Sequence, residues 1–156
     1  MAEKDLWKMY KDQPKYNWLK NKIFKEKYTK MYLQSIENLV KKKVFKSSVI
    51  IFCLDTPKDK LWRTKIYPEY KGGRADLSKK RDFKPTFKYT YRKLIPKLVK
   101  KNDNIFMMRK NKMEADDIIA IITKYLSNKK KKIPIYLISG DEDFKQLGNE
   151  HVNFID

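Results

Sequence analysis

Three short apolar runs, set far apart and separated by stretches of helical pattern, limit the folds open to this chain. Ser48 to Leu54 is β-branched and aromatic, bounded by a polar run before it and Asp55-Thr56-Pro57 after it. It reads as a short, fully buried strand. Asn104 to Met108 reads as a second strand and Ile133 to Ser139 as a third, with Pro134 tolerable only near its start. Between and before them the spacing changes to three and four. From Trp18 to Phe45, residues such as Ile23, Phe24, Tyr28, Met31, Tyr32 and Ile36 mark one helical face, with lysines on the other. Ile118, Ile119, Ile122, Tyr125 and Leu126 do the same within Met113 to Leu126. Helix, strand, basic insertion, strand, helix, strand is an order that implies an α/β domain with a parallel central sheet flanked by helices. A chain of 156 residues suits one such domain.

The charge narrows the partners. Lys and Arg number 38 against 19 Asp and Glu, a formal net charge of +19. Self-repulsion on this scale opposes compaction and is relieved by a polyanion. Nucleic acid is the first candidate, because neutralised phosphates release counterions. An anionic membrane surface fits less well, since no basic amphipathic stretch stands alone and no lipidation signal is present. No segment approaches the roughly 20 apolar residues of a membrane-spanning helix, and the N-terminus lacks a signal-peptide core. The expected setting is soluble and intracellular. The one cysteine, Cys53, lies in an apolar run and reads as core filling, and the one histidine, His151, stands among polar residues. Neither a Cys-His nucleophile nor a zinc site is expected.

Against this basic background, three acidic groups fall where strands end. Asp55 follows the first strand, Glu114, Asp116 and Asp117 open the helix after the second, and Asp141 and Asp143 follow the third. Each has an ordinary explanation: a turn residue for Asp55, helix-dipole partners for Glu114, Asp116 and Asp117, a cap and first-turn acid for Asp141 and Asp143. In a parallel sheet, however, the carboxyl ends of the strands share one edge, where ligand sites form. Six converging carboxylates repel one another unless a cation lies between them. Hard oxygen donors suit Mg2+ or Mn2+, and two such ions can promote phosphodiester hydrolysis.

These residues resemble the flap endonuclease and 5′-3′ exonuclease family, including its phage-type members. The resemblance rests on three runs: Cys53-Leu54-Asp55 with Trp62-Arg63 and Tyr67-Pro68-Glu69-Tyr70-Lys71-Gly72-Gly73-Arg74; Glu114-Ala115-Asp116-Asp117-Ile118-Ile119-Ala120; and Ser139-Gly140-Asp141-Glu142-Asp143-Phe144-Lys145-Gln146-Leu147. It covers roughly residues 44–156. It implies a PIN-like 5′-nuclease core spanning 1–156 as one catalytic domain, with 75–101 as a basic helical arch. It further implies a first metal site at Asp55, Glu114 and Asp116, and a second at Asp141 and Asp143 with Asp117 close by. Lys71 and Arg74 would contact the scissile phosphate. Arg63, Lys79, Lys80, Arg81, Lys84, Lys88 and Arg92 would contact nucleic acid, the arch cations being interleaved with Phe83, Phe87, Tyr89 and Tyr91. Cations over phosphates and aromatics under bases suit a single-stranded channel. The implied substrate is DNA with a single-stranded 5′ end or flap, or an RNA/DNA equivalent. The chain departs from the family at both ends. No Leu-Ile-Asp-Gly-like run precedes the first helices, and the sequence stops at Asp156, where the family continues into a helix-hairpin-helix region; a fragment, a split gene product with segments supplied by another polypeptide, and a shortened relative are the alternatives. Two further readings are a non-catalytic nucleic-acid-binding module and a PIN-like ribonuclease. The Tyr-Lys-x-x-Arg segment and the long basic insertion argue against the ribonuclease.

Overall fold

The structure is a computed structural model that describes residues 18–71 and 84–155. In chain order its elements are a 3₁₀ turn (Trp18–Lys20), α1 (Lys22–Val40), α2 (Lys42–Ser47), β1 (Ile50–Cys53), a 3₁₀ turn (Lys58–Lys60), α3 (Trp62–Ile66), α4 (Lys84–Tyr89), a π-helical turn (Thr90–Leu94), α5 (Ile95–Lys101), β2 (Ile105–Met108), α6 (Ala115–Ser127), β3 (Ile135–Ile138), a 3₁₀ helix (Glu142–Leu147) and β4 (Val152–Ile155). The chain divides into two compact units, Met1–Val49 with Glu69–Ile105, and Ile50–Pro68 with Phe106–Asp156.

The described residues of the first unit are mainly helical. Asn21 caps α1 by accepting a hydrogen bond from the Phe24 N–H at 3.1 Å. The expected single helix from Trp18 to Phe45 is broken at Lys41, whose φ of 63° no α-helix accommodates. Apolar periodicity continues across the break through Val44 and Phe45, so the pattern alone does not report it. Leu94, Ile95 and Leu98 form the buried centre of this unit. Between α4 and α5 the Ile95 N–H donates to the Thr90 carbonyl, five residues back. Pro96 follows and has no N–H to offer the regular ladder, which accounts for the widened turn.

The aromatics of the basic segment divide by face. Tyr89 faces inward, its ring 6.3 Å from Tyr28 and its hydroxyl 3.2 Å from the Thr29 hydroxyl. Phe87 and Tyr91 are exposed and stack on each other at 6.3 Å. Burial, with Tyr28 and Tyr91 nearby, pushes the Tyr32 phenol up to about 12, so it stays neutral. Thr90 Oγ1 donates to the Thr86 carbonyl at 3.0 Å, which leaves Tyr28 as donor in the 2.7 Å bond between Tyr28 Oη and Thr90 Oγ1. Tyr28→Phe removes that donor while keeping the ring. The expected loss is about 1 kcal/mol in urea denaturation, and an unchanged midpoint would mean the bond contributes nothing.

The second unit carries the strands. β1 and β2 form one two-stranded sheet. β3 and β4 form another, parallel and in register from Ile135 opposite Val152 to Ile138 opposite Ile155. The α/β class and parallel pairing agree with expectation, and the central sheet is only partly shown. β4 was not foreseen in the polar tail. Gly148 permits the turn into it, because a Cβ there would lie 3.0 Å from the Lys145 carbonyl oxygen and 3.4 Å from the Phe154 ring. β1 differs from the fully buried strand expected, since all four of its residues are half-buried. Cys53 is among them, its thiol pushed up by burial. The buried apolar residues of this unit are instead Leu54, Leu61, Ile118, Phe144 and Val152, and α6 packs against both β1 and the 3₁₀ helix after β3.

Candidate active site at the strand ends

The carboxyl ends of β1 and β2 lie side by side, because the Leu54 N–H donates to the Met108 carbonyl at 2.9 Å. Each strand leads directly into an acidic segment. The connection after β2 is fixed by Thr56, which is buried: its hydroxyl donates to the Lys110 carbonyl at 2.8 Å and its N–H to the Met113 carbonyl at 3.1 Å. The Trp62 N–H donates to the Lys112 carbonyl at 3.0 Å. Buried backbone groups demand partners of this kind. The clamp sets the start of α6 beside the exit of β1.

At that start, the Asp55 Oδ1 accepts from the Ala115 N–H at 2.8 Å. A carboxylate 60 residues away in sequence thus satisfies one of the open donors of the helix. Glu114 is the N-cap residue and is 4% exposed. Asp117 Oδ2 accepts from the Glu114 N–H at 2.9 Å, the returning arm of a capping box. Arg63, from α3, compensates the charge. Its Nη1 and Nη2 donate to Asp117 Oδ2 and Oδ1 at 2.7 and 2.6 Å, and Nη1 also reaches Glu114 Oε2 at 3.1 Å. The guanidinium stacks over the Trp62 ring at 4.6 Å. A planar fork held this way is the strong form of ion pair.

The Arg63 hydrogen bonds hold the Asp117 carboxyl below its ordinary value of 3.8; burial opposes them, and the Glu114 N–H, the Arg63 charge and a hydrogen bond from the Trp62 side chain add to them. The folded state therefore binds fewer protons than the unfolded chain just below that value. Stability from this group is complete above pH 3.8 and is lost as pH falls through the lower folded value. Acid unfolding followed by circular dichroism should show this loss, and Asp117→Asn should remove that part of the pH dependence. An unaltered acid limb in the variant would contradict the assignment.

After β3, Asp141 caps the 3₁₀ helix. Its Oδ1 accepts from the Asp143 N–H at 3.0 Å, and its own N–H donates to Ser139 Oγ at 3.2 Å. Asp141, Asp143, Asp55 and Asp116 are exposed. The structure thus brings Asp55, Glu114 and Asp117 to the start of α6 with Arg63 among them, and sets Asp141 with Asp143 at the start of the 3₁₀ helix. Among the described residues, no three His, Cys, Asp or Glu side chains lie close enough to hold a metal ion. The donor chemistry nonetheless fits a hard divalent cation, since every candidate ligand is a carboxylate. The Arg63 guanidinium stands in as the positive charge that Glu114 and Asp117 require.

Lys71 belongs to the first unit, with φ of 56° and its Nζ 5.3 Å from the Tyr70 ring centroid. Lys84, Lys88 and Arg92 are exposed on α4 and the π turn. Arg74, Lys79, Lys80, Arg81 and Phe83 lie outside the described residues. Two functional features escaped the sequence reading. Arg63 as a counter-ion of Asp117 has no local signal, because the partners are 54 residues apart. Thr56 was legible only as part of an Asp-Thr-Pro turn, although a buried hydroxyl anchoring a loop is also compatible with that triplet.

The α/β unit of this strongly basic chain carries carboxylates at its strand ends. The sequence model of the 5′-3′ exonuclease N-terminal resolvase-like domain matches residues 6–156, and the chain belongs to that family. Membership supports a nuclease role and implies a nucleic-acid substrate. No curated protein gives a significant match. Among the described residues, no helix is long and apolar enough to cross a membrane.

Proposed function

We propose that this chain is the catalytic part of a metal-dependent 5′-nuclease that hydrolyses DNA phosphodiesters near a 5′ end or at a flap junction. The observation that carries the reading is the meeting of Asp55 with the start of α6 at 2.8 Å, beside Glu114, within a chain of this family. Asp55, Glu114 and Asp116 would hold one Mg2+ or Mn2+; Asp141 and Asp143, with Asp117 close by, would hold a second. Bound there, such ions supply Lewis acidity toward the phosphate and a water of lowered pKa. The rest is the work of the chain's own side chains. Lys71 and Arg74 stabilise charge developing on the scissile phosphate. Lys79, Lys80, Arg81, Lys84, Lys88 and Arg92, on the 75–101 insertion, hold the backbone of the single-stranded 5′ end, and Arg63 orders the carboxylates it is paired with.

A second reading, a nucleic-acid-binding module without catalysis, is favoured by one observation: among the described residues, no three His, Cys, Asp or Glu side chains lie close enough to hold a metal ion. Incubating the protein with a labelled 5′-flap DNA, in Mg2+ and in EDTA, separates the two. The nuclease reading expects shortened product only with the metal. Retained binding with intact substrate in both conditions would establish the module instead. A matched RNA flap, cut faster than DNA, would point to a ribonuclease.

A further inference from the structure

The turn between β2 and Glu114 presents Arg109, Lys110, Asn111 and Lys112, all four exposed. Exposed cations are common in this chain, but these differ in how their backbone is held. The Lys110 carbonyl accepts from both Thr56 Oγ1, at 2.8 Å, and the Met113 N–H, at 3.2 Å. The Lys112 carbonyl accepts from the Trp62 N–H at 3.0 Å. Buried Thr56 and the start of α3 therefore clamp the turn from below, while its side chains extend into solvent. Lys112 also adopts φ of 68°, a conformation that suits glycine or asparagine and is strained for lysine. Strain of this sort collects at functional sites. Among the described residues, none of the Arg109, Lys110 and Lys112 side chains forms an ion pair, although Glu114 is only two positions beyond Lys112. Three unneutralised cations are thus fixed at the rim of an acidic site.

We propose that Arg109, Lys110 and Lys112 form a phosphodiester-binding rim at the carboxyl end of β2, distinct from the cations of the 75–101 segment. The proposal rests on the nuclease reading and adds a contact to it. The carboxylates at the start of α6 repel a nucleic-acid backbone. Cations on an immobilised turn beside them offset that repulsion with little loop ordering on binding, and so hold the strand against the site. Arginine and lysine on successive positions reach neighbouring phosphates without reading the bases.

The test is equilibrium binding of a fluorescent 5′-flap oligonucleotide in EDTA, across a series of NaCl concentrations. Arg109→Gln, Lys110→Gln and Lys112→Gln combined should reduce the slope of log affinity against log salt by about 2–3, since each lost phosphate contact removes roughly 0.7–0.9. The same charge change at Lys129, Lys130 and Lys131, beyond the other end of α6, should reduce it by less than about 1. Lys112→Asn, which suits the backbone angle, provides a variant free of folding stress. It should lower the slope by about 1 with an unchanged or raised melting temperature. A rim triple variant with the wild-type slope, or one no lower than the Lys129–Lys131 control, overturns the rim, as does a Lys112→Asn slope equal to wild type. A wild-type chain that binds no oligonucleotide at any salt overturns the nuclease reading itself.

Discussion

Arg63→Met is expected to destabilise the protein by about 2–3 kcal/mol, a fall of roughly 5–10 °C in melting temperature for a chain of this size. The reason lies in what is left behind. The Glu114 and Asp117 side chains are 5% and 15% exposed, so removing the guanidinium strands two carboxylates in a desolvated place. Breaking a buried pair by deleting one partner costs roughly 3–5 kcal/mol. Arg63 itself is 28% exposed, and water entering its place lowers that figure. Methionine preserves much of the packing against Trp62, so the change isolates charge and hydrogen bonding. Adding Asp117→Asn should return part of the loss, because one stranded charge disappears. Differential scanning calorimetry of the four proteins of the cycle measures the coupling directly. Equal melting temperatures for Arg63→Met and wild type would mean the fork is incidental to the fold.

The second large effect is on catalysis. Asp55→Asn and Asp141→Asn should each slow cleavage of a 5′-flap DNA on the order of 10²–10³-fold, the scale seen when one preorganised electrostatic group is deleted. Both changes are chosen so that structure survives. The Asp55 Oδ1 accepts from the Ala115 N–H and the Asp141 Oδ1 from the Asp143 N–H, and an amide oxygen accepts both bonds equally well. The melting temperature should therefore stay within a degree or two while the rate falls. That separation between rate and stability distinguishes a chemical role from a capping role. Full activity in both variants would return these aspartates to the ordinary part of helix caps. Loss of stability together with rate would leave capping as their measured role and contradict the separation argued here.

Local patterns made part of this legible. The three strands read from β-branched and aromatic runs are present, each shortened by one to three residues in all. The helix opened by Ala115 was plain from its caps and its apolar face. The acids at its start were plain too, since Glu114 to Asp117 stand out in a chain this basic. The features that failed are those fixed by contacts distant in sequence or by single backbone angles. Lys41 breaks a helix whose apolar rhythm continues beyond it. β4 is only four residues, Val-Asn-Phe-Ile, following a polar stretch, and what makes it a strand is its pairing in register with β3. The Arg63 fork onto Asp117 joins α3 to α6, two elements whose adjacency depends on the Thr56 clamp. Half-burial of β1 was unreadable for a related reason: a run of four apolar residues shows that a strand can be covered on both faces, not what covers it.

A nuclease of this kind needs carboxylates from separate strand ends to serve a common cation. Crystals of the chain soaked in MnCl2 and measured at the manganese absorption edge test this without reference to activity. The predicted result is anomalous density with Asp55 and at least one of Glu114, Asp116, Asp141 or Asp143 as ligands, absent from crystals of the Asp55→Asn, Asp141→Asn double variant. Well-ordered crystals with no manganese against any of these side chains, or with the ion held by residues elsewhere on the surface, would contradict it.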